Sequence, residues 1–151
     1  DLLLWLSGER PVDVCASGNR IASEGTLFRY NDYVTSIMRC PTGMIARLTA
    51  NFGCVHKHQH VLRIFGTKAA FIYDDAGARL HVSRDPDVQS TMISLASLPK
   101  RKGDLIPGFI SSIANDIDVS SDFKLICDGF STCIACDEAA RTSQKEIIEY
   151  L

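Results

Sequence analysis

The chain opens on an apolar run, Asp1 to Leu6 (DLLLWL), followed by Ser7 and Gly8. Buried helices end this way, and Gly8 can supply a left-handed C-terminal cap. No capped start of that helix is evident upstream, so the run reads as the tail of an element belonging to a longer chain. The period then changes. Val12, Val14 and Ala16 alternate with Asp13, Cys15 and Ser17, as in a strand with one face buried. Arg20 to Phe28 is mixed and reads partly as loop. Tyr33 to Arg39, the turn signal CPTG and Met44 to Phe52 predict a hairpin. Further strands are expected at Gln59 to Phe65, Ala69 to Tyr73, Ala78 to Ser83 and Met92 to Ala96, with turns at Gly66 and at Asp74 to Gly77. Helical spacing follows in Asp104 to Asn115, where Leu105, Phe109, Ile110 and Ile113 would lie on the sheet. A second helix is expected over Asp128 to Ser143, with an apolar stripe of Phe130, Cys133, Ile134 and Ala140, and Lys145 to Leu151 reads as a last strand. The pattern predicts an α+β fold, a large and predominantly antiparallel open sheet with helices on one face.

Composition narrows the picture. At 151 residues with 46% hydrophobic content, the chain is expected to form one domain over residues 1–151 without disulfides or a structural metal. Sixteen basic against 18 acidic side chains, net charge -2, argue against a nucleic-acid or anionic-membrane surface, and no run of about 18 apolar residues suggests a membrane span. Six cysteines scattered through apolar runs read as small hydrophobes in a reduced, cytoplasmic protein. A sheet covered by helices on one side leaves its other face for a partner. Met38, Met44, Leu48, Ile64 and Phe65 lie on strands apolar on both faces, which favours a homodimer through the open sheet.

The densest local chemistry is Cys54, His56, His58 and His60. Alternate residues of a strand share a face, so three imidazoles could turn toward one ion. Ligands two apart on an extended strand are about 6.5 to 7 Å apart, however, and the outer pair cannot meet one metal unless the chain bends. No metal site is therefore expected. The histidines are either plain exposed hairpin residues or lie on the rim of a substrate cleft, able to hydrogen-bond hydroxyls or a phosphate. Asn51 is a further cleft candidate, or else a polar cap on its strand. Cys133 and Cys136 form a CxxC, but at helical spacing without a second pair or a thioredoxin-like βαβ context they read as packing residues. The run Lys100, Arg101 and Lys102 is either a solvated turn or a contact for a phosphate.

Three stretches together carry a resemblance: DLLLWLSGERP at the start, LRIFGTKAAFIYDD from Leu62 to Asp75, and CDEAARTSQKEIIEYL from Cys136 to Leu151. They resemble the C-terminal domain of the Gfo/Idh/MocA family of NAD(P)-dependent oxidoreductases. The corresponding features are Trp5 to Gly8, then Gly66, Thr67 and Lys68, then Ala139, Ala140 and Ser143. Ala69 departs from the family, which usually has glycine there. The resemblance implies hydride transfer between NAD or NADP and a hydroxyl carbon of a sugar, polyol or nucleotide sugar. In the family an N-terminal Rossmann domain supplies the dinucleotide site and a Glu-Lys-Pro lysine, and an Asp-x-x-x-His pair precedes the opening helix, with Asp1 resembling an aspartate a few residues beyond that histidine. Neither Glu-Lys-Pro nor a Gly-x-Gly-x-x-Gly occurs in this sequence. The expectation is a substrate-binding and dimerisation domain, without catalytic, cofactor-binding or metal residues of its own and inactive alone. Its cleft candidates are Asn51, His56, His58 and His60, and its cofactor, NAD or NADP, is expected to bind the full-length protein. A catalytically inert binding or scaffold module reusing the same fold is the alternative.

Overall fold

The computed structural model describes residues 1–96 and 101–150, and only the backbone of Lys102. In chain order the elements are α1 (Leu2–Ser7), β1 (Asp13–Asn19), β2 (Tyr33–Arg39), β3 (Ile45–Asn51), β4 (Leu62–Phe65), β5 (Ala70–Asp74), β6 (Gly77–His81), β7 (Thr91–Ile93), a 3-10 turn (Lys102–Leu105), α2 (Ile106–Ala114), α3 (Ser120–Thr142) and β8 (Glu146–Ile147). The α+β class and the antiparallel pairing are as the pattern predicts. The strands are distributed over two four-stranded sheets, β3-β2-β1-β8 and β4-β5-β6-β7. They fall in two compact units, Asp1–Val55 with Ser111–Leu151, and His56–Ile110.

In the first unit α1 ends as expected, with Gly8 left-handed at φ 67° and its N–H donating to Leu4 O at 2.9 Å. The β2–β3 hairpin turns on Cys40 to Gly43, where Cys40 N–H donates to Met44 O at 2.8 Å and Gly43 takes φ 90°. Register sets the two faces of the sheet. Val14 opposes Met38, and Met38 opposes Ala46, all on the side where α3 packs. Val14, Met38 and Ile148 are buried there against Ala135 and Ala139 of α3. Each large side chain removed from water in this way contributes roughly 1.5 to 3 kcal/mol. The small alanines let the helix backbone approach β1 closely.

Several expectations need correcting. Met38 is a core residue, 1% exposed, and does not lie on the free face of the sheet. The face opposite α3 instead carries Ile37, Ile45 and Ile147, all exposed, as partners of Cys15, Arg39 and Asp13 in the register. Helix α3 starts at Ser120, two turns before the expected Asp128, and Asp118 Oδ1 accepts from Ser120 N–H at 2.9 Å just ahead of it. Its buried stripe is Asp128, Thr132, Ala135 and Ala139, whereas Phe130 and Ile134 are 66% and 68% exposed and Cys133 is exposed too. The most apolar stripe is therefore not the packed one. Flat strands accept small side chains at the closest approach, and bulk there would push the helix off the sheet. Leu105, Phe109, Ile110 and Ile113 likewise remain exposed rather than packing on a sheet.

In the second unit β4 and β5 pair from Leu62↔Tyr73 to Phe65↔Ala70, and Gly66 N–H closes the turn on Ala69 O at 2.9 Å. Among the described residues only Asp116 and Ser143 are non-glycines with positive φ, so Ala69 is unstrained in this turn. β5 and β6 turn at Gly77, φ 93°, and Arg79 Nη2 donates to Asp74 Oδ2 at 2.8 Å. That guanidinium, followed by the Ala76 N–H, holds the Asp74 carboxyl below its ordinary range.

Candidate functional site

The histidine-bearing segment is not a strand. Residues 57–61 are irregular and β4 begins only at Leu62, so the alternation that would place three imidazoles on one face is absent. Two separate arrangements result. His56 Nδ1 lies 2.9 Å from Lys57 O, and its Nε2 is 3.8 Å from Asp75 Oδ2, while Lys57 Nζ pairs with Asp75 Oδ1 at 2.7 Å. His58 and His60 meet edge to face with ring centroids 5.3 Å apart. All three imidazoles are exposed. Among the described residues no group of three or more His, Cys, Asp or Glu could hold a metal ion. What the segment offers is a set of accessible ring nitrogens beside a lysine and an aspartate, suited to hydrogen-bonding a polar ligand.

Asn51 ends β3, and its Oδ1 accepts from the N–H groups of Gly53 and Cys54, both at 3.0 Å. Its carbonyl shapes the exit from the hairpin. In the basic run, Lys100 and the Lys102 side chain lie outside the described residues, and Arg101 N–H donates to Asp104 Oδ2 at 3.1 Å. Of the CxxC pair, Cys133 is exposed, and Cys136 is half-buried, with burial pushing its thiol above the usual range.

The densest polar packing lies where the sequence has no motif. Arg10 Nε donates to Asp128 Oδ2 at 2.6 Å, and the guanidinium carbon lies 5.8 Å from the centre of the Tyr150 ring. Tyr150 OH donates to Pro11 O at 2.8 Å, and Thr42 Oγ1 donates to Glu9 Oε1 at 2.6 Å. Burial raises the Tyr150 phenol above its ordinary pKa. These groups come from α1's exit, the β2–β3 turn, α3 and the C-terminal segment. No spacing rule brings Arg10 and Asp128 together across 118 positions. The only signal in the chain was an aspartate, Asp128, directly after the apolar run Leu125, Ile126 and Cys127.

The start of α3 does not fit the pyrophosphate of a dinucleotide. A pyrophosphate sits on the free N–H groups of a helix entered from a glycine-rich turn. At the start of α3 the Asp118 carboxylate already takes the Ser120 N–H, and the Ser120 hydroxyl, followed by that N–H, holds its carboxyl below the ordinary range, so a phosphate there would meet a negative charge.

Residues 1–72, just under half of the chain, match the model of the GFO/IDH/MocA C-terminal domain, the family that the sequence resembles. The third resembling stretch, Cys136 to Leu151, lies beyond the matched residues. The fold is shared with aldose-aldose oxidoreductase from Caulobacter crescentus (TM-score 0.71, 18% identity, 99% of this chain and 44% of that one). It is shared too with UDP-N-acetylglucosamine 3-dehydrogenase from Acidithiobacillus ferrooxidans (TM-score 0.57, 25% identity, 78% and 36%). A third is levoglucosan dehydrogenase in complex with NADH (TM-score 0.61, 14% identity, 94% and 46%). The chain thus spans less than half the length of each of these proteins. No curated protein matches it. Among the described residues no helix is long and apolar enough to cross a membrane.

Proposed function

We propose that this chain is the substrate-binding and dimerisation domain of a cytoplasmic NAD- or NADP-dependent dehydrogenase acting on a sugar, polyol or nucleotide sugar, and that it is inactive without a cofactor-binding half. The observation that carries the reading is the match of residues 1–72 to the GFO/IDH/MocA C-terminal domain. The names of the solved relatives support the substrate class, since they act on aldoses, levoglucosan and a nucleotide-linked amino sugar. Asn51 in the first unit and, separately, His56, His58 and His60 in the second are assigned as substrate-contacting candidates, with the exposed imidazoles as hydrogen-bonding groups for hydroxyls or a phosphate. The face of the first sheet bearing Ile37, Ile45 and Ile147 is assigned to a second copy of the chain, since three exposed isoleucines on one open face favour burial.

The test compares residues 1–151 with a longer protein containing them. The expected result is no change in nicotinamide absorbance from residues 1–151 with glucose, myo-inositol or UDP-N-acetylglucosamine, and turnover of one such substrate by the longer protein. There, His58→Ala and His60→Ala should raise KM more than they lower kcat. Turnover by residues 1–151 alone would refute the assignment. For the dimer, sedimentation should show two copies, separated by Ile37→Asp; a monomeric wild type would remove that part.

A further inference from the structure

We propose that Cys133 and Cys136 of α3 form a redox-active dithiol, which a low-molecular-weight disulfide of the glutathione class closes to an internal disulfide. The pair is independent of the reading above and shares no residue with it.

The two cysteines differ in burial, and that difference carries the inference. A thiol reacts only where its sulfur can be reached and ionised. Helix α3 meets the first sheet through Asp128, Thr132, Ala135 and Ala139, and Cys133 lies outside that stripe, exposed to solvent. Cys136, nearly one turn further on, is half-buried and packs against the core that holds Val14, Met38 and Ala139. Burial raises its thiol, whereas a hydrogen bond from the Ser36 hydroxyl of β2 favours its thiolate. One sulfur is thus open to an external reagent. The other is sheltered, with a donor for the anion that resolution requires.

Helix geometry sets how the two can join. Residues three apart on an α-helix have Cα atoms about 5 Å apart, inside the roughly 4.4 to 6.8 Å that a disulfide spans. Their Cβ atoms, about 5 to 6 Å apart, must approach to about 3.5 to 4.5 Å, so the bond is strained and readily reduced. It is open in excess thiol and closes when disulfide accumulates. Two exchanges complete the reaction. The Cys133 thiolate attacks one sulfur of the reagent disulfide, forming a mixed disulfide and releasing one thiolate. The Cys136 thiolate then attacks Cys133 Sγ and releases the second, so the reagent is reduced to two thiols and the dithiol is oxidised. Cys15 and Cys54 are exposed too, but neither has a second cysteine within four positions. Cys15 alternates with the core residues Val14 and Ala16 and so faces away from α3. These two cysteines stop at the mixed disulfide and serve as internal standards.

The experiment incubates the chain with excess oxidised glutathione, quenches it with acid and maps unreduced tryptic peptides by mass spectrometry. The expected result is loss of two hydrogens from residues 125–141 without added glutathione, and glutathione retained on Cys15 and Cys54. Excess reduced glutathione should restore the two hydrogens. Cys136→Ser, which replaces one small side chain by another, should leave glutathione on Cys133. Residues 125–141 also contain Cys127, so Cys127→Ser is run beside the wild type and should still close. Glutathione retained on Cys133 in the wild type, no reaction at Cys133, or loss of closure in Cys127→Ser would each overturn the proposal.

Discussion

Adjacent residues of β2 separate the packed face of the first sheet from the open one. Met38 is 1% exposed against α3, and Ile37 beside it is 53% exposed on the opposite face. Truncating Met38 to alanine removes three heavy atoms beyond Cβ from a site without solvent. At about 0.8 kcal/mol for each methylene-sized group the transfer loss is roughly 2.4 kcal/mol, and the cavity left behind brings the cost to about 3 kcal/mol. Ile37→Ala removes a side chain already half in water and should cost about 1 kcal/mol or less in the monomer. With a urea m-value of about 1 to 2 kcal/mol/M, Met38→Ala should lower the unfolding midpoint by about 1.5 to 3 M, which far-UV circular dichroism resolves. Protein concentration supplies a second axis. If the isoleucine face is covered by a second copy, the cost of Ile37→Ala grows as the protein is concentrated, because association stabilises only the folded state. The cost of Met38→Ala does not. Equal costs for the two variants at low concentration would mean that α3 does not pack on the Met38 side, and the register argument would fail with it.

Other outcomes follow from single features. Gly8→Ala places a Cβ at φ 67° with nothing within 4 Å, so it adds backbone strain alone and should destabilise by about 1 to 2 kcal/mol in urea unfolding. Asp13 is buried on β1, where Arg39 Nε donates to both its oxygens at 2.9 and 3.1 Å and Lys145 Nζ lies 3.6 Å away, and the Arg39 hydrogen bond chiefly lowers its pKa. A depressed carboxyl pKa stabilises the fold above the unfolded value of about 3.9, and that contribution is lost as pH falls through the folded value. Arg39→Met should therefore be less stable than wild type near pH 7, with the gap closing below about pH 4 in pH-dependent urea titrations. Iodoacetamide followed by peptide mass mapping should modify exposed Cys15, Cys54 and Cys133 well before Cys40 and Cys136, whose thiols burial pushes upward; equal rates would contradict that burial.

How far the chain could be read in advance depended on how local each signal was. The αL cap at Gly8, the hairpin through Cys40 to Gly43 and the Gly66 turn each depend on a few consecutive residues, and a backbone conformation that needs glycine or a tight turn shows directly in the residue types. Val14 and Ala16 were legible as core by alternation alone, since period two leaves a strand only two faces. The choice between the two faces of β2 was not, because Ile37 and Met38 are both apolar and only the placement of α3 separates them. The helix itself misled for the same reason. Its large apolar residues, Phe130 and Ile134, look outward, while Asp128, Thr132 and two alanines meet the sheet, because close approach selects small volume over hydrophobicity. Cys54 to His60 was visible as a cluster of chemistry, yet its geometry depended on whether the chain there was a strand, and it is not. Local conformation, alternation and family likeness were thus determined by the sequence itself. The packed side of each element and the meeting of Arg10 with Asp128 were decided only by the tertiary structure, since volume and charge are matched between segments that no local rule relates.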